Sequence, residues 1–322
     1  MKKLYLCADK GKDMDQGLQV LDQIRLNFSS SGLFVLNITL AFIMFGVALE
    51  IKPEHFRQIV KYPRSAIIGF LSQFLLLPAL TFLLIFLIQP TASVALGMIL
   101  VAACPGGNIS NFMSNLAKGN TALSVTLTGM ATLGSIFLTP LNFAFWGGLY
   151  AKASQLIMPI EIDPWHMLQT VFMLLGIPII LGILFAKRFP VTTQRITRPI
   201  KILSLFIFAG FVIVAFSNNY PYFLRYIHLI FLIVLVHNGL ALLSGYSVGT
   251  VFKLGRKDRR SVTIETGIQN SGLALVLIFN PHLFGGLGGM AFIAAWWGIW
   301  HIIAGLIIAG IWSKKSIDYE TT

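Results

Sequence analysis

The sequence predicts an all-α integral membrane protein of about nine transmembrane helices, and three observations carry that prediction. Of 322 residues, 56% are hydrophobic and only 11% charged, with a mean hydropathy of +0.79, whereas a soluble domain carries roughly 25% charged residues. The apolar residues fall in runs of about 20 or more, the length a helix needs to cross roughly 30 Å of hydrocarbon. The Lys and Arg residues cluster in the short stretches between those runs. An ordinary soluble enzyme is excluded. The net charge of +12 would suggest nucleic acid in a soluble chain, but in these loops it sets topology. The expected partner is the lipid bilayer, and no nucleic acid is expected. Cys7 and Cys104 lie in unlike settings, which supports neither a disulfide framework nor a Cys-based metal site. The four apolar residues Leu4 to Cys7 are too few for a signal-peptide core, so no cleaved signal is expected.

Nine spans are expected: 33–50, 64–88, 91–116, 120–150, 165–186, 199–217, 224–252, 260–281 and 287–313. If the first ends in the cytoplasm, the inner segments hold seventeen Lys or Arg, from Lys52 to Lys315, and the outer loops only Lys152 and Arg225. That asymmetry places the C-terminus inside an inner (plasma) membrane, because translocating cations is costly. An odd number of spans then puts the N-terminus outside. Residues 1–32 carry five Lys or Arg and four Asp. Leu18, Leu21, Ile24 and Phe28 recur at helical spacing there, which reads as an amphipathic helix on the membrane surface. A tenth span is disfavoured by Asp22 and Arg25 in its middle.

Two spans contain a break. In the third, Cys104-Pro-Gly-Gly-Asn-Ile-Ser-Asn111 removes a backbone donor, frees two glycines and follows them with three polar side chains. In the eighth, Glu265-Thr-Gly-Ile-Gln-Asn-Ser-Gly272 interrupts an apolar stretch. A plain proline kink explains the first alone. Two interruptions at corresponding places in two halves point instead to a transporter site on an inverted repeat. Each is preceded by a span with an amide at depth, Gln73 and Asn238. The repeats expected are 33–150, with four helices, and 165–313, with five; spans one to four pair with six to nine.

Of twelve acidic residues, Glu265 alone falls well inside a span. A charge at mid-membrane costs ~2.5 to 3.5 kcal/mol even on a lenient scale and is kept only when paired or wetted. No Lys or Arg lies in a neighbouring span, which suggests a bound cation. The competing reading puts Glu265 near the cytoplasmic interface, five residues after Arg260. The donors around it, Gln73, Ser110, Asn111, Ser124, Thr128 and Gln269, all offer oxygen. Without Cys or paired His, zinc and copper are unnatural, and one carboxylate is too little for Ca²⁺. Na⁺ and H⁺ remain. Ser124 and Thr128, four apart, face the same side of a helix.

Both broken segments resemble the two crossover motifs of the bile acid:sodium symporter family. Met44-Phe-Gly46 with Leu49 and Lys52-Pro53, and His237-Asn-Gly239, are also similar to family segments, over essentially 33–313. The resemblance implies a core and a panel domain, with the broken helices crossing in the core. It implies two Na⁺ ions. Ser110, Asn111, Ser124, Thr128 and Glu265 would hold the first; Gln73, Glu265 and Gln269, with the carbonyls of Thr266 and Ile268, the second. Asn108, Asn270 and His301 would line the substrate cavity, although a lone histidine such as His301 is more often a packing residue. No counterpart is expected for the extra N-terminal helix of many bacterial members. The activity implied is Na⁺-coupled import of an organic anion, such as a bile acid, pantoate or a keto acid. A proton-coupled or exporting transporter of the same fold is the alternative. A channel would need a ring of filter residues, and an enzyme a nucleophile and base or a multi-histidine metal set, which the six histidines do not form.

Overall fold

The computed structural model describes residues 20–26, 30–51, 63–154, 163–218 and 220–314. Among them strand pairing is confined to two isolated antiparallel bridges, Arg25 with Leu287 and Gly106 with Gln269. The rest is helix and connection, so the protein is an all-α membrane protein. Among the described residues, six stretches are long and apolar enough to cross a bilayer: Ser31–Glu50, Pro63–Ile88, Thr121–Ala153, Pro164–Arg188, Ile230–Val251 and Gly288–Ser313. Their outer faces carry large apolar side chains open to the surroundings, Leu87 at 81% and Phe34 at 67% exposure among them, as lipid contact requires.

In chain order, α1 is Ser30–Glu50. Helices α2 (Pro63–Leu71) and α3 (Leu77–Ile88) are joined by a π turn, Ser72–Leu76. Next come α4 (Ala92–Ala103), α5 (Ile109–Leu116) and the long α6 (Thr121–Ala153). Helices α7 (Pro164–Val171) and α8 (Ile177–Arg188) are joined by a second π turn, Phe172–Gly176. Then follow α9 (Pro190–Asn218), α10 (Tyr220–Val251), α11 (Arg256–Gly267), α12 (Ser271–Phe279) and α13 (Gly288–Ser313).

The two π turns have one cause. Each ends one residue before the residue that precedes a proline, Pro78 or Pro178, which has no N–H and whose ring collides with the carbonyl four residues back. The chain widens by one residue, so that the N–H of Leu77 bonds Ser72 O and that of Ile177 bonds Phe172 O. The first widening lies under Gln73. Proline also accounts for a departure from expectation. The sixth span is expected to open at Pro199, where a proline suits a first turn, but α9 begins at Pro190 and holds Pro199 inside. Arg195 and Arg198 therefore ride on a helix rather than a loop.

Two packed groups form. Helices α1, α8 and α9 pack on one another. Gly182 of α8 makes that approach possible, since a Cβ there would lie 2.5 Å from Ala48 Cβ and 2.8 Å from Phe45 O. The second group joins α4 to α6 and α13, α5 to α6 and α11, and α10 to α11 and α13. Contacts of α1 with α12, and of α6 with α7, join the groups. At the loop end of α11, Asp258 accepts hydrogen bonds from Ser65 Oγ at 2.5 Å and Asn120 Nδ2 at 2.8 Å. Arg260 donates to the carbonyls of Ala117 and Trp312, where α5 and α13 end.

Of the N-terminal segment expected to be amphipathic, residues 20–26 and 30–32 are described. Leu18 and Phe28 lie outside the described residues, as do Lys52 to Lys61 and Lys315. Leu21 is fully buried in the protein core and Ile24 packs against it. Asp22 accepts from the backbone N–H and the hydroxyl of Ser93 near the start of α4, and Arg25 donates to Phe284 O. Leu26 N bonds Gly286 O, and Gly288 N bonds Ile24 O. Residues 20–26, helical over Val20–Gln23, are thus a strap packed on the α12–α13 connection and the start of α4. An apolar stripe meant for protein has the same spacing as one meant for membrane, and Asp22 and Arg25 are its polar fasteners.

Candidate functional site

The two breaks lie across each other. Helix α4 stops at Ala103 because Cys104 is extended and Pro105 cannot donate. Helix α11 stops at Gly267, with Ile268 extended. Backbone groups freed at membrane depth must find partners within the protein. They find one another: Gly107 N bonds Ile268 O at 2.7 Å, and Asn270 N bonds Pro105 O at 2.8 Å. Two side chains from preceding helices brace the crossing. Gln73 Oε1 accepts from Gly106 N at 3.3 Å, and Asn238 Nδ2 donates to Gly267 O at 2.7 Å. In the sequence Asn238 is only an amide at depth; its role needs the fold.

Four half-helix ends meet here. The starts of α5 and α12 carry partial positive charge and the ends of α4 and α11 partial negative charge, so one junction suits both an anion and a cation.

Glu265 is fully buried on α11. Its Oε1 accepts from Ser110 Oγ at 2.5 Å, from Ser124 Oγ and from Thr128 Oγ1 at 3.1 Å; Thr128 also reaches Oε2 at 3.2 Å. Asn111 Oδ1 lies 2.9 Å from Ser124 Oγ and 3.2 Å from Thr128 Oγ1, and Ser124 O accepts from Thr128 at 3.0 Å. Ser110, Asn111, Ser124, Thr128 and Glu265 are therefore brought together. Each hydroxyl owns one proton, so three protons face both carboxylate oxygens, the Asn111 amide oxygen and a carbonyl. The groups gathered here are all oxygens, the donor type a hard cation takes. No described Lys or Arg forms an ion pair with Glu265. Arg260 points away to α5 and α13.

The second set is arranged around Gly106. A Cβ there would lie 3.0 Å from Glu265 Oε2, 3.3 Å from Gln73 Oε1 and 3.3 Å from Glu265 O, so these oxygens converge on space that only glycine leaves. Gln73 Nε2 and Gln269 Oε1 are buried without partners. Thr266 O already accepts from Gln269 Nε2 at 2.9 Å, and Ile268 O from Gly107; each keeps a second lone pair. The Thr266 hydroxyl is engaged with Ser72 Oγ and Val262 O.

Asn108, Asn270 and His301 all line one cavity of about 450 Å³ between the crossing and the α1–α9 face. Leu40, Ile43, Met44 and Val47 form its apolar wall, and Gln269 forms part of its back. Asn270 Oδ1 is committed to capping α12 through Leu273 N, which leaves its amide donor for a ligand. Asn108 holds the equivalent position before α5 and makes no side-chain cap bond. His301 is 5% exposed, and its Nδ1 has no hydrogen-bond partner. Glu50 also lines the cavity. Sequence reasoning misses it, because a carboxylate at the end of an apolar run reads as an interface residue.

A model of the sodium bile acid symporter family matches residues 37–225, more than half of the chain. The chain belongs to this family. A Bacillus subtilis protein named as an uncharacterized sodium-dependent transporter, YocS, is 33% identical over 304 residues, 93% of this chain and 91% of its own length. BASS2 of Oryza sativa subsp. japonica, a probable chloroplastic sodium/metabolite cotransporter, is 32% identical over 74% of this chain and 55% of its own. The mouse sodium/bile acid cotransporter 4 is 30% identical over 77% of this chain and 57% of its own. This chain thus spans a little over half the length of the rice and mouse relatives. As a member of the sodium bile acid symporter family it is a multi-pass membrane transporter with sodium-dependent transport, and no catalytic family is indicated.

Proposed function

We propose that the protein is a symporter that imports an organic anion with two Na⁺ ions by alternating access, across nine spans in two inverted repeats with the C-terminus in the cytoplasm. The observation that carries this reading is Glu265, enclosed by hydroxyl and amide oxygens and without a cationic partner among the described residues. Ions bound there would join α5 and α6 to α11 through Ser110, Asn111, Ser124, Thr128 and Glu265, and the π turn to the second break through Gln73 and Gln269. That connection fixes the two half-helix N-termini and the amides of Asn108 and Asn270 toward the cavity, so sodium occupancy prepares the anion site.

The cavity lies toward the ends of α1 and α5 and the start of α9, which the positive-inside asymmetry assigns to the cytoplasm. Phe112 and Ile202, on its wall, are exposed at 55% and 48%. On the opposite side α1 closes against α12. This supports an inward-facing state, from which the anion would leave after import. The plasma membrane is the compartment proposed. In proteoliposomes, an inward Na⁺ gradient should drive uptake of carboxylic acids of the bile acid, hydroxy acid or keto acid type. Uptake driven by a pH gradient and indifferent to Na⁺ would replace this reading with the proton-coupled one.

A further inference from the structure

We propose that Ser204 determines substrate choice: its hydroxyl, set in the apolar wall opposite the crossing, selects organic acids that carry a hydroxyl or oxo group over acids of the same carbon skeleton that lack one. This rests on reading the cavity as an organic-anion site.

Ser204 lies on α9 and lines the cavity, yet it is only 7% exposed and its Oγ has no hydrogen-bond partner. A serine or threonine inside a helix commonly settles its proton on the carbonyl one turn back. Thr193, Thr197 and Ser217 of the same helix do so, each donating to the carbonyl four residues earlier at 2.7 to 2.8 Å. Ser204 does not. A serine kept only to let helices pack closely could make the same bond, so a hydroxyl turned elsewhere points to another partner. Across the helix pair stands Gly46 of α1, where a Cβ would lie 3.9 Å from Ser204 Oγ and 2.7 Å from Ile200 Cγ2. Gly46 lines the cavity as well, and the two small residues leave a notch beside Ile43, Met44, Val47 and Ile202.

The crossing and this notch face the cavity from opposite sides. A substrate carboxylate meets the amides of Asn108 and Asn270 and the half-helix N-termini, and its carbon body lies against the apolar wall. An oxygen on that body is what reaches Ser204. The serine hydroxyl both donates and accepts, so a hydroxyl or an oxo oxygen completes it equally. An acid with only hydrogen there covers the hydroxyl, excludes water and leaves it unpaired, which is costly in apolar surroundings. Sites that offer a hydrogen bond to a substrate oxygen reject the analogue lacking it for this reason. Among the described residues, His301 Nδ1 and Gln269 Oε1 also line the cavity buried and without partners. They belong to α13 and the second break, whereas Ser204 reads the substrate from the group formed by α1, α8 and α9.

The test uses the full chain in detergent with Na⁺ present. Affinities are read by thermal-shift titration for three pairs of acids that share a skeleton: pantoate with 3,3-dimethylbutanoate, 2-oxo-3-methylbutanoate with 3-methylbutanoate, and cholate with 5β-cholanate. The wild type is expected to bind at least one oxygenated acid about tenfold or more tighter than its partner. Ser204→Ala, which should still melt higher in NaCl than in choline chloride, is expected to cut that preference about fivefold or more by weakening the oxygenated acid alone. An unchanged preference in Ser204→Ala overturns the inference. So does a wild type that binds both acids of every pair equally, which decides the matter even if the variant fails to fold; the organic-anion reading then stands and only the assignment to Ser204 fails. If none of the six acids shifts the wild type while Na⁺ still does, the organic-anion reading itself fails and the inference with it.

Discussion

The two breaks of the crossing are alike in architecture and unlike in chemistry. Each interrupts a span of the core, each lends a backbone donor and acceptor to the other, and each is braced by an amide from the helix before it. The first break supplies space, a hydroxyl and an amide oxygen: Gly106 leaves room for oxygens, and Ser110 and Asn111 follow on α5. The second supplies the charge, Glu265, together with the amide of Gln269. Neither break holds all of the oxygens gathered about Glu265. The bracing is also reversed, since Gln73 satisfies a donor on the first break and Asn238 satisfies an acceptor on the second. On the proposed reading the ion site is composite, and ion binding would couple the two breaks.

The difference between the breaks makes three contrasts measurable. The largest effect is expected from Gly106→Ala, whose Cβ would crowd Glu265 Oε2 at 3.0 Å. Sodium-driven uptake should fall at least a hundredfold while Gly148→Ala, where a Cβ meets nothing within 4 Å, leaves it unchanged. Equal uptake in the two variants would show that the space at Gly106 has no part in ion binding.

Next, Asn238→Leu should cost about 1 to 3 kcal/mol of stability by leaving Gly267 O unpaired in the core, with a smaller effect on Na⁺ affinity. Gln73→Leu should show the reverse, since its bond to Gly106 N is long, at 3.3 Å, and its oxygen converges with those of Glu265 on the space at Gly106. Chemical denaturation and Na⁺ titration of both variants check this, and identical profiles would mean that the two amides are interchangeable braces. The smallest contrast concerns the cavity asparagines. Asn270→Ala should weaken anion binding and also cost about 0.5 to 2 kcal/mol through the lost α12 cap. Asn108→Ala should weaken anion binding with little change in stability, because it makes no cap bond. A stability loss from Asn108→Ala as large as that from Asn270→Ala would contradict the assigned difference.

Much of this is legible in the sequence because membranes make unusual demands. Apolar runs reveal spans, and Pro105 with two glycines and Asn, Ser and Asn at membrane depth has few uses besides a break. Glu265 stands out for the same reason. What is not legible depends on tertiary partners. Pro78 announces a disturbance, yet its relief as a π turn beneath Gln73 follows from packing. Leu21 and Ile24 show an apolar stripe without saying whether lipid or protein covers it, and Ser93, the partner of Asp22, is 71 residues away. Glu50 and Asn238 acquire meaning only when the cavity and the end of α11 are placed beside them.

The claim that Glu265 binds Na⁺ is tested most directly by melting temperature in NaCl against choline chloride of equal ionic strength, for wild type and Glu265→Gln. A ligand bound by the native state alone raises stability by RT ln(1 + [L]/Kd), about 2.7 kcal/mol at a hundredfold excess over Kd. The wild type should therefore melt several degrees higher in NaCl. Glu265→Gln, nearly isosteric and neutral, should fold and lose most of that difference. A wild type indifferent to Na⁺, or a Gln variant that keeps the full Na⁺ response, would contradict the account.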